Sequence, residues 1–279
     1  MRFSPVVVIA VAAAAAFQSS GCSGGVDVGI SSDGGSSTGQ IGSPGEGSIG
    51  LLTAPWLVLD LATGVPEPRA EMITFSDPAF RDQKLVLRRI TGNGTDYFLG
   101  IFELTQAQWT RLAGTAPWST VPSAVVGTAA IGSDRPAFAL SADSVNNALA
   151  AWNLRGKIKL GVPSGAQWSF ACAPDASATY CWGSATDRTT LAQWAVTWEV
   201  LDGVPGPRAV GGRKANALGL SDLHGNVWEW VDGCTALRGG SWHDSVSAGA
   251  RQVSFNLEAA DLRGDTAHAL VGVRLLARL

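Results

Sequence analysis

The side chains best suited to chemistry are concentrated between Asn216 and Trp242. Gly225-Asn226-Val227-Trp228-Glu229 sets an amide oxygen and a carboxylate three residues apart, with backbone carbonyls between them. Calcium takes about six to eight oxygens in flexible geometry, and such a turn can supply several. The same two side chains can instead tie the loop down by hydrogen bonds to backbone amides. Asp222 lies just upstream, with no defined part in either arrangement. Further on, His243-Asp244 has the make-up of a general-base pair, and equally of two exposed loop residues, which is the simpler reading. His224 and His268 are the other histidines. Arg238, Arg251 and Arg274 suit a structural part, pairing with buried carboxylates or loop carbonyls.

Four cysteines complete the reactive set. Cys22 stands apart in the N-terminal segment, which leaves Cys172, Cys181 and Cys234. Their spacing matches neither a CxxC redox motif nor a zinc site. One disulfide and one leftover thiol is the expectation for an exported chain. Cys172 with Cys181 would close a short loop, and either is also free to pair with Cys234.

Export is written at the start of the chain. Arg2 precedes an unbroken apolar run from Val6 to Phe17, too short for the roughly 20 residues that span a bilayer. Ser19-Ser20-Gly21-Cys22 then has the form of a bacterial lipobox, with Ser19 where Leu is usual. The expectation is a lipoprotein-type signal over 1–21, lipidation at Cys22 and membrane attachment in the bacterial envelope, periplasmic or surface. Conventional signal cleavage is the alternative. Residues 22–50 are Gly, Ser and Asp with few large apolar side chains, which predicts a flexible tether. With 20 Lys and Arg against 23 Asp and Glu, scattered rather than clustered, nothing favours a nucleic-acid partner.

Residues 51–72 carry several prolines and read as an extended lead-in, and 73–279 as one domain large enough for a substantial core. Lys84 to Ile90 and Tyr97 to Leu104 read as strands joined at Gly92-Asn93-Gly94. Thr105 and Ser164 each stand three residues before a Gln, the capping-box pattern, and Ser141 caps a third helix ended by Gly156. Beyond those helices periodicity fades into Gly, Asp, Pro and Trp. Eleven tryptophans against two tyrosines suit loops pinned by large rings, and Trp228 and Trp230 read as core pins. Trp118, Trp182 and Trp242 are the candidates to line a peptide- or sugar-binding groove, although the core is the simpler place for each.

These segments, taken in order, resemble the formylglycine-generating enzyme (sulfatase-modifying factor) family. Asn216 to Trp230 and Leu237-Arg238-Gly239-Gly240-Ser241-Trp242 carry the signature. Gly100 to Trp109 is similar to the family's "yEVTnaqy" entry, Arg135-Pro136-Ala137-Phe138 to its "PV-VSW-A" segment, and Leu160 to Trp168 to "RLPTEAEWE" without the acidic residues. Tyr180-Cys181-Trp182-Gly183 resembles "YPWG", and Gly272-Val273-Arg274-Leu275 resembles "GFRL". The resemblance implies an irregular, loop-rich α+β fold related to C-type lectins. It also implies calcium at Asn226 and Glu229 with the carbonyls of Gly225 and Val227. The family's chemistry follows RGGS-x-x-C-x4-C, two thiolates that bind copper(I), the metal that soft sulfur donors select. Asp244 and Gly249 occupy those positions here, so the resemblance implies that copper is absent and that the domain is a pseudoenzyme acting as a binding or scaffold module for a protein or glycan ligand. The alternatives are an active oxidoreductase of the family using other residues, and a lectin-like carbohydrate-binding domain.

Overall fold

The computed structural model describes residues 50–245 and 267–278, apart from 52, 72, 74–76, 93 and 175–177. The signal segment, Cys22, nearly all of the tether, Gly249 and Arg251 lie outside the described residues.

Alternation in the first strands sets the architecture. Strands β1 (Trp56–Asp60) and β2 (Pro66–Arg69) are followed by a short helix α1 (Ala79–Asp82), then β3 (Lys84–Gly92) and β4 (Thr95–Gly100). With β5 (Lys159–Gly161) and the C-terminal β9 (Leu276–Arg278) they form an antiparallel sheet in the order β2-β1-β3-β4-β9-β5. Because side chains alternate across a strand, Leu57, Leu59, Leu85, Leu87 and Phe98 enter one core, while Trp56, Val58, Val86, Tyr97 and Leu99 enter another on the opposite face. Both faces of the sheet are therefore covered.

Helices α2 (Gln106–Ala113) and α4 (Ala142–Arg155) supply Trp109, Leu112, Val145, Leu149 and Trp152 to the first core. A one-turn helix, α3 (Ser123–Val126), lies between them in the chain. Helix α5 (Gly165–Cys172) supplies Trp168, Ala171 and Cys172 to the second core. All three long helices start as the sequence predicts. Thr105 and Ser164 make complete capping boxes with Gln108 and Gln167, and the Ser141 side chain accepts the Ser144 N–H.

Two expectations are corrected. Trp56–Arg69 is part of the large sheet rather than a lead-in, and Leu57 and Leu59 are fully buried. The prolines of β2 are tolerated because that strand forms the sheet edge, where half the amide hydrogens need no partner. The strand expected to run from Tyr97 to Leu104 stops at Gly100, whose carbonyl accepts from Arg274 while its N–H bonds to Leu275.

After helix α6 (Arg188–Trp194) the chain forms a second, three-stranded sheet. In it β6 (Trp228–Val231) pairs antiparallel with β7 (Ala236–Arg238) and parallel with β8 (Val271–Gly272). Strand β6 of this sheet carries Glu229, and Arg274 lies in the short link between β8 and β9.

Candidate functional site

The turn from Ser221 to Glu229 is built from backbone that few residues tolerate. Asp222, Gly225 and Asn226 all adopt positive φ. At Gly225 the requirement is steric as well, since a Cβ there would lie 2.0 Å from the carbonyl oxygen of Val196. That close crossing lets Asn226 N–H donate to Val196 O and Gly225 N–H to Gly239 O. Asn226 Oδ1 accepts the Arg208 N–H at 2.9 Å, its Nδ2 donates to Glu103 Oε2 at 3.3 Å, and its carbonyl accepts from Trp242 N–H. One fully buried amide thus joins four segments of the chain.

Glu229 is equally committed. Arg274 Nη2 donates to it at 2.8 Å, Arg274 Nε lies 3.0 Å from its second oxygen, and Trp168 Nε1 donates at 2.6 Å. The same guanidinium reaches the carbonyls of Gly100, Ser221 and Asp222. The fork geometry of Arg suits this many simultaneous acceptors. The calcium arrangement expected at Gly225, Asn226, Val227 and Glu229 does not fit these contacts. The carboxylate already neutralises a buried guanidinium, and a cation placed beside that guanidinium would be repelled by it. Asn226 and Glu229 instead take the hydrogen-bonding part.

Two more acids, Glu103 and Asp222, are enclosed in this cluster. Burial, and after it the charge of Asp222, push Glu103 well above the ordinary carboxylate range. Burial also pushes Asp222 up to about 6, against the opposing pull of the Gly211 N–H, Arg274 and Arg213. Glu103 Oε1 and Asp222 Oδ1 have no hydrogen-bond partner among the described residues. A proton on each relieves the like charge around a single guanidinium. Glu103 stands at the acid of the "yEVTnaqy"-like segment, but its contact with Asn226 spans 123 positions.

His224 sits on the other side of the turn, fully buried. Its Nε2 lies 3.3 Å from Cys172 Sγ and accepts the Cys181 backbone N–H at 3.1 Å. The ring is boxed by Trp182, Tyr180 and Trp168 at centroid distances of 4.8, 5.5 and 6.5 Å, all edge-on. Cys172, Cys181 and Cys234 are all thiols. The Cys172 thiol and the Cys181 backbone N–H meet at His224, whereas Cys234 is buried in the opposite core.

Asp244 does not point outward. Its Oδ2 accepts both the N–H and the hydroxyl of Ser241, each at 2.7 Å, and its carbonyl accepts from Trp198 N–H. His243 is exposed, with its ring against Trp198 at 5.8 Å and Trp242 at 5.3 Å. His243 and Asp244 are thus adjacent, but the hydrogen bonds of Asp244 Oδ2 run to Ser241. Burial pushes His268 below the usual imidazole value, partly offset by Asp244. Of the candidate groove tryptophans, Trp118 and Trp242 are buried and Trp182 is half-buried over His224. Trp198, which the sequence did not single out, is the exposed ring at 57%. Trp228 and Trp230 pin the core as expected.

A model of the sulfatase-modifying factor enzyme 1-like domain matches residues 91–279. The formylglycine-generating enzyme of Mycobacterium tuberculosis is 36% identical over 78 residues, covering 25% of this chain and 26% of that protein. The chain therefore spans about a quarter of that curated relative. Among solved structures, Treponema denticola variable protein 1 aligns with a TM-score of 0.58 at 15% identity, over 75% of this chain and 99% of that one. PvdO from Pseudomonas aeruginosa aligns at 0.52 and 21% identity, over 66% and 81%. At those identities the likeness shows the fold. With the family model spanning both sheets' C-terminal strands and the whole signature turn, the chain belongs to the sulfatase-modifying factor enzyme 1-like domain family.

Proposed function

We propose that this domain is a non-catalytic binding or scaffold module of the bacterial envelope, exported by residues 1–21, lipidated at Cys22 and set off from the membrane by the 22–50 tether. The observation that carries the reading is the state of Asp244. At the position where the family resemblance expects the first copper-binding thiolate, a carboxylate is folded back onto Ser241 as a local turn. A hard oxygen donor already engaged by two protein hydrogens is a poor ligand for copper(I). Gly249, at the second thiolate position, brings no donor side chain.

The face left beside this turn is aromatic. Trp198 and His243 stand at the surface with their rings 5.8 Å apart, and the exposed indole of Trp198 offers an aromatic face suited to the ring of a sugar. Calcium has no part in this reading, because Glu229 already serves Arg274.

Oxygen uptake is the test of the catalytic half. With copper(I) and a cysteine-bearing sulfatase peptide, the chain is expected to consume no more oxygen than a peptide-free control. Sustained, peptide-dependent uptake would reject the reading. For the binding half, glycan-array retention lost in Trp198→Ala supports the aromatic face, and indifference across all glycans removes it.

A further inference from the structure

We propose that Cys172 and Cys181 are a redox pair that closes to a disulfide by exchange with an organic disulfide, with His224 receiving the proton of Cys172. The geometry rests on one nitrogen. Cys172 Sγ and the Cys181 backbone N–H both lie within hydrogen-bond range of His224 Nε2, so the two residues are about two hydrogen bonds apart at most. Their separation in sequence allows the short loop that a disulfide closes, and closure requires the Cys181 side chain to turn until its sulfur meets that of Cys172. Because Nε2 accepts an amide hydrogen it is the unprotonated ring nitrogen, and its single lone pair takes the Cys172 thiol proton once the Cys181 N–H swings away with its turn. Cys234 lies in the other core and takes no part.

The two thiols differ in access, and this orders the steps. Cys181 is half-buried whereas Cys172 is fully enclosed. Cys181 loses its proton to solvent and attacks one sulfur of the organic disulfide RSSR, forming a mixed disulfide and releasing one RS⁻, which takes up a proton. Cys172 then passes its proton to His224 Nε2 and attacks the Cys181 sulfur. The new Cys172–Cys181 bond forms as the second RS⁻ leaves, and that thiolate recovers the proton from His224. In sum, two protein thiols are oxidised by two electrons and RSSR is reduced to two RSH. Burial pushes the Cys181 thiol up to about 12, so the entry step is slow at neutral pH and waits on opening of the Tyr180–Gly183 turn.

Closure would replace the Cys172–His224 contact with a covalent tie from helix α5 to the Tyr180–Gly183 turn. That turn carries Trp182, stacked on Tyr180 at 4.9 Å and on Trp194 at 6.1 Å. The pair would therefore lock the aromatic lid over His224. None of this depends on whether the domain is catalytic.

The test uses the intact chain treated with oxidised glutathione, quenched with a maleimide in denaturant so that the buried thiols react, and digested with trypsin. Cleavage after Lys159 and Arg188 leaves both cysteines in one peptide. The expected product is that peptide, lighter by two hydrogens and unlabelled, while Cys234 is found labelled. Dithiothreitol should restore two labels. Cys172→Ser should trap glutathione on Cys181, and Cys181→Ser should leave Cys172 unmodified over the same period. His224→Gln should slow closure at least tenfold without slowing formation of the Cys181 adduct, and an unchanged closure rate would remove His224 from the scheme. Independent labelling of Cys172 and Cys181 after prolonged oxidation, or a bond from either to Cys234, would overturn the proposal.

Discussion

Asp222→Asn isolates the least conventional feature of the buried cluster, an acid held near its own titration point. Burial is the main cause of its rise to about 6 from the ordinary value of 3.8. A carboxyl with a raised folded-state pKa binds its proton more tightly when folded. Its stabilising contribution is full below the unfolded value and is lost as pH rises through the folded one. For Asp222 that window runs from about pH 4 to about pH 6. A rise of this size corresponds to roughly 3 kcal/mol lost by neutral pH. Asparagine is neutral throughout and nearly the same shape, and its oxygen can still accept the Gly211 N–H that Asp222 Oδ2 now accepts. The variant should therefore match the parent near pH 4 and exceed it near pH 7 by on the order of 2–3 kcal/mol, or about 4–12 °C in Tm for a domain of this size. Urea unfolding of both proteins at several pH values between those limits is the assay; Glu103, which the charge of Asp222 helps to push up, is relieved in the variant, and this adds to the gain at pH 7 in the same direction. A difference that stays constant across pH, or a variant weaker at pH 7 than at pH 4, would refute the reasoning.

Three further outcomes follow from the same contacts. Arg274→Met strands Glu229 and three carbonyls without their donor, and should cost about 3–5 kcal/mol in urea unfolding, as for other broken buried pairs. A loss below about 1 kcal/mol would mean that the pair is not sealed from water. Gly225→Ala sets a Cβ against the Val196 carbonyl at positive φ, and should destabilise by on the order of 3–5 kcal/mol or leave the chain insoluble on expression. Calcium in excess over chelator should leave Tm within about 1 °C, whereas a calcium-dependent rise of several degrees would return Asn226 and Glu229 to a metal.

Local signals carried the parts of the fold that local physics decides. The capping boxes at Thr105 and Ser164 and the alternating run from Lys84 were legible because each is complete within a few residues. The family motifs pointed to the turn at Gly225 and to the α+β class. What stayed hidden depends on contacts between distant segments. Trp56–Arg69 reads as a proline-rich approach until β3 pairs with it, and Glu103, although within a family motif, has no partner in view until Asn226 reaches it. His224 is only one of three histidines in the sequence, yet Cys172, 52 positions earlier, gives it a partner. Among eleven tryptophans the exposed one was Trp198, because a ring's burial is decided by the packing around it and not by its neighbours in sequence.

The most direct test of the central claim is mass spectrometry of a cysteine-bearing sulfatase peptide after incubation with the copper(I)-treated chain and oxygen. The account predicts an unchanged cysteine in every peptide molecule, because Asp244 is folded onto Ser241 where the resemblance expects a thiolate. Conversion of that cysteine to formylglycine, abolished when copper is withheld, would contradict it.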